Sequence, residues 1–244
     1  MFYVLCSLVI TNIFGFSVVT TSLFFFLLPG LYWTLNNDSK FKIPDSNRPV
    51  KLKKKQWLLL LTTLLIATAL LTAVGRYWLA DYHYAKGEKY SEANLVTKAE
   101  NHLKTAIKLN PLEPNFYSEL GIVQAKTAAY YIQNNQPDTG QAYVQPAIDN
   151  SVRALEISPY HLNFYKNYTQ AHYYLAVYDL NLLENAIEAL TQAEKLAPTD
   201  PKIPFSLAQI YQTLGNDEKA KEYYQVALEL KPNYEKAKSA IESL

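Results

Sequence analysis

Ala227-Leu-Glu-Leu-Lys-Pro232 is a stretch the chain writes four times, with variation. It stands in register with Ala106-Ile-Lys-Leu-Asn-Pro111, Ala154-Leu-Glu-Ile-Ser-Pro159 and Ala193-Glu-Lys-Leu-Ala-Pro198. Successive prolines lie 48, 39 and 34 residues apart, a 34-residue period carrying insertions of 14, 5 and 0. A small alanine lets two helices approach closely, an apolar residue three positions on closes the same face, and proline then ends the helix. One helix pair of this length cannot bury its own core, so a fixed period predicts a stack of pairs. An ordinary helical bundle needs no period.

Working outward, residues 201–234 carry Leu207, Ala208, Tyr211, Gly215, Ala220, Tyr224, Ala227 and Pro232. This unit resembles the tetratricopeptide repeat almost position for position. The earlier units follow in register: Gly87, Tyr90, Ala99, Leu103 and Ala106; then Tyr117, Leu120, Gly121, Ala147 and Ala154; then Tyr165, Tyr168, Ala186, Leu190 and Ala193, with Thr169 and His172 departing from the pattern. An internal match supports the register independently, because Asn115-Phe-Tyr117 recurs as Asn163-Phe-Tyr165 at the 48-residue offset. The segment Asn134-Asn-Gln-Pro-Asp-Thr-Gly140 reads as a turn-rich insertion in the second repeat.

The remainder is apolar. No charged residue occurs from Met1 to Asn37, and a second uncharged run, Gln56 to Gly75, is flanked by Trp57 and by Arg76, Tyr77 and Trp78. A bilayer core needs about 20 apolar helical residues, and aromatic ends suit its interfaces. The second run therefore predicts one crossing. The first would be about 55 Å long as one helix at about 1.5 Å per residue, too long for one crossing and short for two. It reads as an interfacial or re-entrant helix before Gly15, then a span from about Phe16 to Trp33 that bends or ends at Pro29-Gly30.

Between the runs, Lys40, Lys42, Arg48, Lys51, Lys53, Lys54 and Lys55 oppose only Asp38 and Asp45, a net of +5. Short basic loops stay in the cytoplasm, which places the repeats on the extracytoplasmic side of the cytoplasmic (inner) membrane. The position between two spans explains the loop better than nucleic-acid binding, with contact to anionic lipid as a secondary effect. The formal net charge of +1 leaves nothing global to attract nucleic acid. The architecture is all-α, transmembrane helices followed by a tetratricopeptide-type helix-pair solenoid. Its divisions are an apolar membrane segment at 1–35, a basic cytoplasmic loop at 36–56, a transmembrane helix at 57–79, and about four repeats with insertions at 80–244.

The apolar residues begin at Phe2 with no basic region before them, unlike a signal peptide. The simplest account is the trailing part of a longer multi-span membrane protein. In line with that, Asn12 to Trp33 is similar to the last membrane segments of the O-antigen ligase and polymerase family, some members of which continue through a basic loop and one more span into extracytoplasmic repeats. The resemblance implies association with lipid-linked glycan transfer or polymerisation. The family's catalytic basic and His residues occupy a loop upstream of these spans, so no catalytic residue carries over. The rival reading is a glycan transferase fragment lacking its catalytic loop.

The sequence carries few residues in catalytic or metal-binding patterns. His83, His102, His161 and His172 are scattered, without a His-Glu-x-x-His pattern, and read as surface or groove histidines; Cys6 is the single cysteine. No metal or cofactor is expected. Glu184, Glu188 and Glu194 read as a solvated helix face rather than an acid and base pair, and the acceptor pattern Asn167-Tyr-Thr169 is too short to be informative. The chain alone is expected not to be an enzyme.

Binding is the better expectation. Of 20 tyrosines, 17 lie after Ala80; Tyr90, Tyr117, Tyr165, Tyr211 and Tyr224 fall on packing positions, whereas Tyr173 and Phe205 are expected to face the groove, where aromatics grip a ligand with little entropy loss. First helices line the groove in repeats of this kind. The contact residues expected from position are Asn115, Ser118, Ile122 and Ala125 in repeat two; Asn163, Lys166, Gln170 and Tyr173 in repeat three; and Lys202, Phe205, Gln209 and Gln212 in repeat four. They form a polar, mildly cationic surface for a protein or extended peptide in the cell envelope, with a glycan or lipid-linked glycan as the other candidate, and with Lys166 and Lys202 as donors.

Overall fold

The computed structural model describes residues 54–244, and every regular element among them is a helix. The apolar segment at 1–35 and most of the basic loop lie outside the described residues. The elements are α1 (Lys54–Glu92), α2 (Val96–Leu109), α3 (Pro114–Gln133), α4 (Pro137–Ile157), α5 (Leu162–Leu175), α6 (Leu182–Leu196), α7 (Lys202–Thr213), α8 (Asp217–Leu230) and α9 (Glu235–Glu242). The chain divides into two units, Met1–Thr63 and Leu64–Leu244. Of the first unit, residues 54–63 are the exposed opening of α1.

The fourfold sequence signature produces four identical helix ends. Helices α2, α4, α6 and α8 stop two residues before Pro111, Pro159, Pro198 and Pro232. The residue before a proline is driven out of the α region, and Asn110, Ser158, Ala197 and Lys231 all adopt nearly one conformation, φ −136 to −145° and ψ 72 to 89°. Each donates its N–H to the signature alanine's carbonyl, on Ala106, Ala154, Ala193 and Ala227, at 2.9–3.1 Å. All four alanines are buried. The recurrent Asn-Phe-Tyr repeats its contacts too: Phe116 and Phe164 are buried, while Tyr117 and Tyr165 donate their hydroxyls to the carbonyls of Pro111 and Pro159 at 3.1 and 2.9 Å.

Helices pair as α1 with α2, α3 with α4, α5 with α6 and α7 with α8, and α9 closes the last pair through buried Ala237 against Ala220, Tyr224 and Ala227. Glycine sets the approach of the two helices within a pair: a Cβ on Gly121 of α3 would lie 2.5 Å from Ser151 Oγ and 3.1 Å from the Ala147 carbonyl of α4. The Asn134–Gly140 segment is not the loop its composition predicts. Only Asn134–Gln136 form the turn, with Asn135 at φ 59°, and the inserted residues extend helices. With 20 and 21 residues, α3 and α4 exceed α7 and α8 by eight and seven; the turn before α3, residues 110–113, is one residue shorter than the turn 197–201 before α7, which leaves the 14-residue insertion.

Among the described residues α1 is the helix long and apolar enough to cross a membrane. Its side chains are exposed from residue 54 to residue 79, and Ala80 is the first buried one. Thr62 and Thr63 return their hydroxyls to the Leu59 carbonyl, Thr68 to Leu64 and Thr72 to Thr68, at 2.8–2.9 Å, so these groups need no outside partner. The boundary between apolar and repeat residues is not a chain break. One helix passes through residue 80 and becomes the first helix of repeat one.

Candidate functional site

Helices α5 and α7, the first helices of repeats three and four, flank an open cleft of about 380 Å³, within the range of small ligand sites. Leu190, Ile203 and Ile210 give it an apolar floor, and Lys166, Gln170, Tyr173, Lys202, Ser206 and Gln209 its polar walls. The sequence places these side chains on one face because they recur at helical spacing: Lys166, Gln170 and Tyr173 on α5, and Lys202, Ser206 and Gln209 on α7. Five of the residues expected from position therefore meet in one cleft. Tyr173 is 44% exposed, its hydroxyl 3.3 Å from Thr213 Oγ1.

Electrostatics divide the two lysines. Lys166 is bound to Asp200 in an ion pair linking α5 to the turn before α7. Although burial pushes the Asp200 carboxyl up, the Lys166 hydrogen bond, the Lys202 backbone N–H and the charges of both lysines outweigh it and hold the group below the usual carboxylate range. Lys166 thus joins repeats rather than standing free as a donor, whereas the Lys202 ammonium has no carboxylate in contact among the described residues. Within the same residues, the side chains of Gln170, Ser206 and Gln209 carry no hydrogen bond.

Other positions depart from expectation for identifiable reasons. Phe205 lies outside the cleft: its ring packs against Tyr224 and Tyr234, centroids 5.5 and 5.0 Å away, in the core of the last repeat. Ser118, Ile122 and Ala125 are buried because the lengthened α3 packs on α5 along that face; Ser118 Oγ accepts from Asn167 at 2.8 Å. Asn115 is committed to Glu113, which it contacts at 2.6 Å at the start of α3. Gln212 accepts the Tyr224 hydroxyl at 2.9 Å, and exposed Asn163 lies outside the cleft. Sequence reasoning missed Ser206, Thr169 and Tyr174; spacing held the signal for Ser206, four residues after Lys202 on the same face.

The histidines correct a further expectation. His83 and His102 are brought together, Nδ1 to Nδ1 at 2.9 Å, one ring donating and the other accepting, with His102 stacked on Tyr90. Burial, followed by His83 and Lys86, pushes His102 below its ordinary pKa. His172 is a core residue, fully buried, its ring stacked on Tyr168 with centroids 3.9 Å apart. Among the described residues no three metal-ligating side chains converge. In the Asn167-Tyr-Thr169 pattern, Asn167 is engaged with Ser118 and Thr169 is buried within α5. Glu184 and Glu188 are exposed on α6.

Residues 205–234 match the family model described as tetratricopeptide repeat. The fold is similar to that of TTC0263, a thermophilic TPR protein of Thermus thermophilus, at 23% identity and TM-score 0.55, covering 67% of this chain and 80% of that one. YrrB, a TPR protein with an unusual peptide-binding site, gives 18% identity, TM-score 0.49 and coverage of 68% and 75%. PilF of Pseudomonas aeruginosa gives 20%, 0.49, and 67% and 66%. Comparison with curated proteins finds no match. From about residue 80 onward the described helices have the fold of a tetratricopeptide-type helix-pair solenoid.

Proposed function

We propose that this tetratricopeptide-repeat chain is a membrane-anchored adaptor whose cleft between α5 and α7 holds an extended segment of a protein partner. The observation that carries the reading is the cleft itself: an apolar floor of Leu190, Ile203 and Ile210 beneath the uncommitted polar groups of Gln170, Lys202, Ser206 and Gln209, with Tyr173 exposed at the wall. Uncommitted amides, a hydroxyl and an ammonium match the carbonyls and acidic side chains of an extended chain, and an aromatic wall adds contact area at low entropic cost. The anchor is α1, whose exposed apolar residues and internally bonded threonines suit a bilayer.

The side of the membrane is the finer part of the proposal. The basic loop Lys40 to Lys55 is retained in the cytoplasm and the repeats stand outside it. Service to a polysaccharide ligase or polymerase is supported by the resemblance of Asn12 to Trp33 alone. Two experiments test the reading. A photo-crosslinking residue at Gln170 or Gln209 should trap a partner that one at Glu184 on α6 does not; equal trapping at all three positions would remove the cleft assignment. A tag after Leu244 should be cut by protease added outside intact cells, and protection until lysis would reverse the orientation.

A further inference from the structure

The antiparallel packing of α1 and α2 determines which edge of the solenoid faces the apolar part of α1. Ala80 packs with Ala106 and Phe116 near the end of α2, and Gly87 lies against Leu103 and Ala99 toward its start. The Arg76 Nη2 donates to the Leu109 carbonyl, the last residue of α2, at 3.0 Å. From Arg76 back to Leu64, α1 therefore leaves the repeats past the turn 110–113, with Tyr77 and Trp78 exposed within one helical turn of that level.

Every repeat copies this antiparallel pair, so the turns that follow Pro111, Pro159, Pro198 and Pro232 share one edge. The residue after each proline occupies the same turn position and is exposed in all four. These residues are Leu112, Tyr160, Thr199 and Asn233, so the two turns nearest α1 are tipped with large apolar or aromatic side chains and the two farthest with polar ones. Leu112 is 72% exposed and Tyr160 85% exposed, the highest value among the large hydrophobic side chains of the repeats. Water gives no reason to place such groups at those two tips; a bilayer interface does, since aromatic and aliphatic side chains settle among headgroups.

We infer that the end of this edge nearest α1 rests on the bilayer surface from which α1 emerges, with Leu112 and Tyr160 inserted among the lipid headgroups, and that the edge rises away from the surface toward Thr199 and Asn233. The inference rests on α1 as the membrane span. It gives the cleft between α5 and α7 a set height above the lipid, because no flexible linker separates span from repeat, and so favours a partner segment presented near the membrane.

The test uses the full chain reconstituted in phosphatidylcholine and phosphatidylglycerol vesicles containing lipids that carry a doxyl quencher on the acyl chain. In a Cys6→Ser background, Leu112→Cys, Tyr160→Cys, Thr199→Cys, Asn233→Cys and Ile66→Cys are each labelled with bimane. Quenching at 112 and 160 is expected to exceed that at 199 and 233 by roughly twofold or more, with Ile66 strongly quenched as an interior reference. If Ile66 is quenched but the four turn positions are alike, the span stands and the surface contact is overturned. An unquenched Ile66 overturns the span, and the contact with it.

Discussion

Acid should weaken this solenoid through one core side chain. His172 is fully buried on α5; its Nδ1–H donates to the Tyr168 carbonyl at 2.9 Å, and its Nε2 is buried without a hydrogen-bond partner among the described residues. Adding a proton would put a charge and an unmatched N–H into the core. Burial accordingly holds the ring below its ordinary pKa, against the opposing pull of the Tyr168 carbonyl. The unfolded chain accepts the proton near pH 6.5 and the folded chain only at lower pH, so between those points the unfolded state binds one more proton. The stability is fully present above about pH 6.5 and falls by about 1.4 kcal/mol per pH unit through that window. A His172→Leu substitution removes the proton site and an orphaned nitrogen worth about 1–3 kcal/mol. It also loses one hydrogen bond, about 0.5–1.5 kcal/mol, and the stack on Tyr168, about 0.5–1.5 kcal/mol. Because these terms oppose one another, the pH slope is the quantity to read. Urea unfolding of the full chain in detergent, followed by far-UV circular dichroism at pH 7.5, 6.5 and 5.5, should show a slope shallower for His172→Leu than for the parent. Parallel curves for the parent and His172→Leu would refute the reasoning, by showing that the ring takes up its proton equally well when folded.

Three further outcomes separate packing from recognition. Tyr173→Ala should weaken partner capture about tenfold with an unchanged unfolding midpoint, since the side chain is half exposed at the cleft wall; Phe205→Ala should instead cost on the order of 2–3 kcal/mol of stability through its lost contacts with Tyr224 and Tyr234. Gly121→Leu should force α3 and α4 apart, because a Cβ there already meets Ser151 Oγ at 2.5 Å; a loss of about 1–3 kcal/mol or more is expected by urea unfolding, with Gly75→Leu, which meets nothing, as the control. Tyr117→Phe and Tyr165→Phe should each lose about 0.5–1.5 kcal/mol by removing the hydroxyl that holds the preceding proline carbonyl.

Much of the fold was legible because its determinants are local. A proline two residues past a helix end acts on its immediate neighbour, so four copies of one hexapeptide yield four matching helix ends. Five cleft residues were legible for a similar reason, since a helical face follows from spacing once the first helices are known. What misled were residues whose partners lie far along the chain. Phe205 and Tyr173 share a helix class and an aromatic character, but Phe205 has Tyr234 29 residues on to pack against, whereas the Tyr173 hydroxyl meets that of a threonine. His172 departs from the repeat pattern and reads as a surface or groove residue in sequence, whereas the packing of α5 encloses it.

By itself, the sequence determined the helix-pair period, the ends of the second helices and the length of the apolar run, because each depends on backbone restriction or hydropathy within a few residues. Only the tertiary structure decided that a 14-residue insertion lengthens α3 and α4 rather than looping out, that the Lys166 ammonium pairs with Asp200 while the Lys202 ammonium makes no ion pair among the described residues, and that the apolar helix runs unbroken into repeat one. Those outcomes depend on which surfaces the stacked helices bring together, and contact between residues 20 to 50 positions apart is settled by burial and pairing across helices rather than by any local preference.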